Sequence, residues 1–225
     1  MRPADCAHCE LDREEMACQR PGGKGHRGCP TVSPPAGAAE AARAYERPGT
    51  GKLARQASIQ EGTGYERRGG ALRPVKPRIE EVCEFAARMG FTRLGLAYCI
   101  GLRHEARLVA DILAERGFEV VSAVCKVGAV AKEELGLSDD QKIRPGGFEP
   151  MCNPVMQAQV VNEAQTELNV VLGLCVGHDS LFLRNAEAPC TVLAVKDRVT
   201  GHNPLAAVYT SHSYWSSVKR PGRPG

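Results

Sequence analysis

From Pro77 onward the chain alternates between two kinds of hydrophobic pattern. In PRIEEVCEFAARMG, the residues Ile79, Val82, Cys83, Ala86 and Met89 recur at the spacing of one helical face. Pro77 opens that helix and Gly90 closes it. The next run, TRLGLAY, is short and nearly continuous, as expected of a strand covered on both faces. GLRHEARLVADILAERG returns to helical spacing with Leu102, Ala106, Val109 and Leu113 inward, and FEVVSAV is a second strand. After an irregular stretch through PGGFEP, Asn153 and Pro154 supply a cap and a first-turn proline, predicting a helix to about residue 167. LNVVLGL, HDSLFLRNA and TVLAVKD continue as strand, short helix and strand, and NPLAAVYTSHSYW suggests a last short helix.

Strands alternating with helices predict an α/β fold: a three-layer αβα, mostly parallel, Rossmann-like sheet with right-handed crossovers. That domain is expected over residues 77–218. Residues 31–76, rich in Pro, Gly, Ala and Arg, read as a connector with helices near 38–45 and 52–60. Residues 1–30 show no periodicity and hold many Cys and Gly residues, so a core cannot fold them and a staple must.

Composition narrows the function classes. The net charge of +3 is spread without a basic stripe and aromatics are only 5%, which argues against nucleic-acid binding. No run approaches the roughly 20 apolar residues of a membrane helix. The start, MRPADC, lacks a signal-peptide core, so a cytoplasmic protein without membrane contact is expected. In that compartment thiols stay reduced, and ten cysteines point to metal binding or catalysis rather than disulfides.

The cysteines fall in two groups. Cys99, Cys125 and Cys175 each follow a strand, with a glycine within three residues, and Cys152 precedes the helix leading into the third strand. In a parallel sheet the carboxyl ends of the strands share one rim, where open α/β proteins bind ligands. A single cysteine there is ordinarily a small buried hydrophobe. Repetition at successive strand ends points instead to a shared metal or ligand, with the glycines letting the backbone approach it closely. His178, Asp179, Lys196 and His202 collect on the same rim as proton or charge partners. Asp179 reads equally as a helix cap, and His202-Asn203-Pro204 as a turn. A third reading makes Cys175 a nucleophile with His178 as its base. Cys83 belongs to a helix core face, and Cys190 lies at the opposite rim.

At the N-terminus, Cys6 and Cys9 form a C-x2-C pair that presents two thiolates to one ion, and Cys18 and Cys29 can complete the set. His8 and His26 are bystanders or substitutes. Cys29-Pro30 is like the ending of iron–sulfur ligand runs, whereas zinc suits any closed set of four thiolates. An iron–sulfur cluster is the leading expectation and zinc the alternative.

The stretches AYCIGLRHEA, CKVG, MCNPVMQA, ELNVVLGLCVGHDSLF and VKDRVTGHNPLAAVY, with the N-terminal cysteines, resemble the family catalogued as domain of unknown function 1847. The resemblance covers nearly the whole chain and implies a cysteine-rich, metal-binding protein with no established reaction. The expectation is a cytoplasmic protein with two cysteine sites. One is Cys6, Cys9, Cys18 and Cys29; the other is Cys99, Cys125, Cys152 and Cys175, with redox activity on a small-molecule ligand. Its rival is a non-enzymatic zinc-binding or metal-handling protein.

Overall fold

A computed structural model describes residues 3–219. The chain divides into two compact units, Met1–Ser58 and Ile59–Gly225. In the first, a single 3-10 turn spans Cys6–His8, Met16 and Lys24 form an isolated bridge, and Lys24 pairs with Glu15 at 2.7 Å. Helix α1 (Ala38–Ala44) lies where the Ala-rich run predicts it. Helix α2 (Pro48–Thr63) starts earlier than the expected 52, because Pro48 occupies a position where its missing N–H costs nothing.

The second unit opens with a feature that the connector reading missed. Strands β1 (Tyr65–Arg68) and β2 (Ala71–Pro74) form an antiparallel hairpin around Gly69-Gly70. Both glycines have positive φ, which a two-residue turn of this twist requires. The paired glycines were the available signal. The exposed, charged strands around them lacked the apolar alternation that would have marked a hairpin.

The remaining elements follow the predicted alternation: α3 (Arg78–Met89), β3 (Arg93–Tyr98), α4 (Arg103–Glu115), β4 (Glu119–Val124), α5 (Pro154–Glu163), β5 (Leu168–Leu172), α6 (His178–Asn185), β6 (Cys190–Ala194) and α7 (Leu205–Tyr209). Strands β3 to β6 form one parallel sheet in the order β4-β3-β5-β6. Helices cover both faces. Val82, Ala86, Ala106 and Leu113 of α3 and α4 pack with Leu94, Leu96 and Val170 in one apolar cluster. Ala158, Val161 and Phe182 of α5 and α6 pack with Ala97, Cys99 and Val171 in the other. The period of two along β3 and β5 sends neighbouring residues to opposite layers. All four residues expected to face inward on α4 are buried.

Two departures have local causes. Helix α5 stops at Glu163, short of the expected 167, because Gln165 adopts a left-handed φ of 52°. Thr166 then bonds the Val161 carbonyl and the Asn169 side chain, which turns the chain into β5. Strand β6 begins one residue earlier than expected and ends at Ala194, with an irregular register opposite Val171 and Leu172. Gly95 is dictated by packing: a Cβ there would stand 1.9 Å from the Asn169 Oδ1. Its absence admits the fully buried Asn169 side chain beside the sheet.

The sheet order sets where a ligand can sit. From β3 the chain steps to β4 on one side, then crosses through α5 to β5 on the other side of β3. The carboxyl ends of β3 and β5 therefore flank the point where the winding reverses, the usual ligand crevice of open α/β sheets.

Candidate functional site

Strand pairing brings the rim cysteines together. Tyr98 pairs with Val124, so the next residues, Cys99 and Cys125, leave adjacent strands side by side. The Cys125 N–H donates to the Tyr98 carbonyl at 2.8 Å, and the Cys99 N–H to Leu172 at 3.1 Å. Cys152 arrives from the β4–α5 connection, where the Asn153 N–H donates to the Cys125 carbonyl at 2.8 Å. Cys99 and Cys125 are buried, and Cys152 packs against the same cluster while keeping some exposure.

The long connection before Cys152 is held by ions and backbone. The Lys132 N–H bonds the Glu149 carbonyl and the Met151 N–H bonds Val130. Lys132 pairs with Glu149 at 2.6 Å, and Lys142, almost fully covered, pairs with Glu133 and Asp139. The Lys132 ammonium holds the Glu149 carboxyl below its usual range, and Lys142 does the same for Glu133 and Asp139. A carboxyl with a depressed folded pKa stabilises the fold above its ordinary value and loses that contribution as pH falls through the depressed one. Acidification from neutral pH to about 3, below the ordinary carboxyl range of about 4, is expected to lower amide protection factors, corrected for the intrinsic rate at each pH, across residues 130–150 before the sheet opens. Protection factors of the connection and β3 that stay in constant ratio over that range would show that these ion pairs do not organise it.

The three thiols titrate together. The Cys125 thiol lies within hydrogen-bond reach of the Cys152 and Cys99 sulfurs, and these contacts together with burial push it upward. The same contacts pull Cys99 and Cys152 down to about 5 each. Cys99 is helped by the Gly101 N–H and the Lys196 ammonium, and Cys152 by Lys126 and His178. The three thiols form one coupled group in which Cys99 and Cys152 release protons more readily than Cys125. The Ile100 N–H adds a bond to the Cys125 sulfur at 3.3 Å. The fully buried Gln157 donates to the carbonyls of Ala123 and Tyr98, tying α5 to the strand ends that carry Cys99 and Cys125.

The glycines after the cysteines serve neighbours rather than open space for a ligand. A Cβ at Gly101 would meet the Lys196 Nζ at 2.9 Å, so this glycine admits the cation that reaches Cys99. At Gly128 the space is filled by the Met156 sulfur. Only Gly177 faces open surroundings, where a φ of 83° turns the chain into α6.

The other expected residues take separate places. Cys175 is half-buried and its sulfur accepts from Arg198 at 3.1 Å. The Cys175 carbonyl accepts the N–H groups of His178 and Asp179 at the start of α6. The His178 Nδ1 is buried with no hydrogen-bond partner among the described residues. Asp179 accepts from the Ser180 N–H, the local role of a helix-start carboxylate. The Asp197 N–H donates to the His202 Nδ1, and the Asp197 carboxylate accepts from Thr200 and Val199, so His202 closes a turn. Cys190 is the first residue of β6, and Cys83 lies in the α3 core; burial raises both thiols. Lys126, Gln157 and Arg198 escaped the sequence reading, although Lys126 directly follows Cys125 in CKVG and Arg198 lies two residues after Lys196 in VKDRV.

In the N-terminal unit, Cys6 and Cys18 are exposed, Cys9 is half-buried and Cys29 is buried. The N–H groups of Val32 and Thr31 lower the Cys29 thiol. His8 bonds Asp5, and the His26 Nδ1 lies 3.1 Å from the Arg27 carbonyl. Among the described residues, no group of three or more His, Cys, Asp or Glu side chains stands as a ready ion site. That holds for the rim too, which offers soft donors without a closed set: Cys125 contacts the Cys99 and Cys152 sulfurs, while Lys196 and Lys126 favour the thiolate forms of Cys99 and Cys152.

Residues 29–193 match the family described as protein of unknown function (DUF1847). That span includes Cys29, Cys99, Cys125, Cys152 and Cys175 and leaves Cys6, Cys9 and Cys18 outside. Over 137 residues the chain is 45% identical to an uncharacterized protein of Methanocaldococcus jannaschii, covering 61% of this chain and 69% of that protein. No solved structure matches. No helix among the described residues is long and apolar enough to cross a membrane.

Proposed function

Because this chain belongs to the DUF1847 family, we propose that it binds a thiophilic metal centre at the sheet rim. Cys99, Cys125 and Cys152 are the ligands, an iron–sulfur cluster is the leading occupant and zinc the alternative. The observation that carries this reading is the contact of Cys125 with both Cys99 and Cys152, thiols of three separate chain segments at the carboxyl rim of the parallel sheet. Thiolates are the ligands soft metals prefer, and the contacts at the rim favour the charged forms of Cys99 and Cys152. Lys196 and Lys126 offset that charge, with His178 beside Cys152 as a further positive group when protonated. A bound centre would supply electron storage if iron–sulfur, or a structural tie if zinc. The cysteines of the N-terminal unit form a second, separate metal-binding candidate, and a small molecule at the crevice is the proposed redox partner of the rim. A reducing cytoplasm suits both groups, since all ten cysteines are free.

Anaerobic isolation of the full chain, followed by iron, sulfide and zinc analysis with absorption and paramagnetic resonance spectra, tests the proposal. The wild type is expected to contain metal that Cys152→Ser loses from the rim while unfolding cooperatively as before. Zinc without iron selects the alternative occupant. Colourless protein lacking both metals after attempted reconstitution overturns the reading.

A further inference from the structure

We propose that the rim is also a thiol–disulfide exchange site, with Cys152 as the attacking thiol and Cys125 as the resolving one. This activity goes beyond the metal reading and does not depend on it. Its basis is an asymmetry within the trio. Cys125 is only 2% exposed, out of reach of an external reagent. Cys152 bonds it and is also the one member of the three with access to solvent. A thiol that meets the outside, backed by one that does not, is the arrangement of a two-step exchange. The backbone supports the pairing, since the Asn153 N–H bonds the Cys125 carbonyl and holds the two residues side by side. The Ile100 N–H, donated to the Cys125 sulfur at 3.3 Å, stabilises negative charge on that sulfur when it attacks or leaves.

The substrate class is a small disulfide with free access to the rim. The Cys152 sulfur attacks one sulfur of the disulfide, whose S–S bond breaks as a mixed disulfide forms and the first small thiolate departs. The Cys125 sulfur then attacks Cys152, closing a Cys125–Cys152 bond and expelling the second small thiolate. The two protein thiols give up two electrons and two protons, and the small disulfide becomes two thiols. A dithiol reductant reverses the sequence.

Glutathione disulfide added to chelator-treated, fully reduced protein is the test, read by peptide mass spectrometry under non-reducing conditions. The wild type is expected to give a Cys125–Cys152 linked peptide and two equivalents of released glutathione. Cys125→Ala should instead accumulate glutathione on Cys152, and Cys152→Ser should form neither product. Capture at Cys6 or Cys18 alone, or a Cys152 adduct that persists in the wild type, overturns the proposal. A chain that lacks metal but closes this bond fails the preceding reading and passes this one, so the two outcomes separate.

Discussion

Gly173→Ala is expected to lower the stability of the fold by about 2–5 kcal/mol. The residue follows β5 directly and has a φ of 66°, a left-handed conformation that costs a non-glycine residue about 1–2 kcal/mol. An added Cβ would stand 1.8 Å from the Leu102 Cδ1 and 3.3 Å from its Cγ. Leu102 is buried among α3, α4 and the sheet, so it cannot swing away without opening its own contacts. Overpacking of that kind costs about 1–3 kcal/mol. The sum is a large share of the roughly 5–15 kcal/mol that hold a domain together. Urea unfolding of Gly173→Ala beside Gly90→Ala separates the packing contribution. Gly90 also has a left-handed φ of 79°, but nothing lies within 4 Å of its Cβ position. Its replacement should therefore show only the backbone cost, and equal losses in the two variants would refute the clash at Leu102.

Cys125→Ala is expected to raise the pH midpoint of Cys152 alkylation by roughly one to two units. Hydrogen bonds to charged groups contribute about 1.5–3 kcal/mol, and one pKa unit corresponds to about 1.36 kcal/mol. In the wild type the Cys125 bond is the largest influence holding Cys152 down to about 5. Alkylation should thus rise through that acidic region and level off well before neutrality. Without the bond, burial acts against only Lys126 and His178, and the midpoint moves up. The plateau rate is a poorer readout, because a thiolate of lower pKa is also a weaker nucleophile. Cys125→Ser keeps a donor in place and should shift the midpoint less. If the alanine variant leaves the midpoint where it was, Cys125 is not the group that holds the Cys152 charge.

Much of the rim was legible because strand and helix periods are local. The apolar runs placed Cys99 and Cys125 at strand ends, and α/β alternation placed those ends on one edge. Cys152 was brought to the same edge by its place before α5. The hairpin at Gly69-Gly70 was missed because its strands are exposed and charged, so burial leaves no alternation in their sequence. Lys126 and Arg198 stood within two residues of marked ones, but closeness along a chain says little about where a long flexible side chain ends. His202 carried two readings, and the turn around Asp197 accounts for the contacts its ring makes.

By itself the sequence determined the element types, the buried faces of α3 and α4, the parallel α/β class and the family. Each of these is written in spacings of a few residues or in short matching stretches. The tertiary structure alone decided the strand order β4-β3-β5-β6 and thus where the winding reverses. It also decided that Cys125 is the thiol shared by Cys99 and Cys152, that Lys196 supplies charge at Cys99, and that Arg198 takes Cys175. Those facts depend on distances between segments far apart along the chain. Hydrogen bonds and ion pairs fall away within a few ångströms, so only the folded path determines which of ten similar thiols meet.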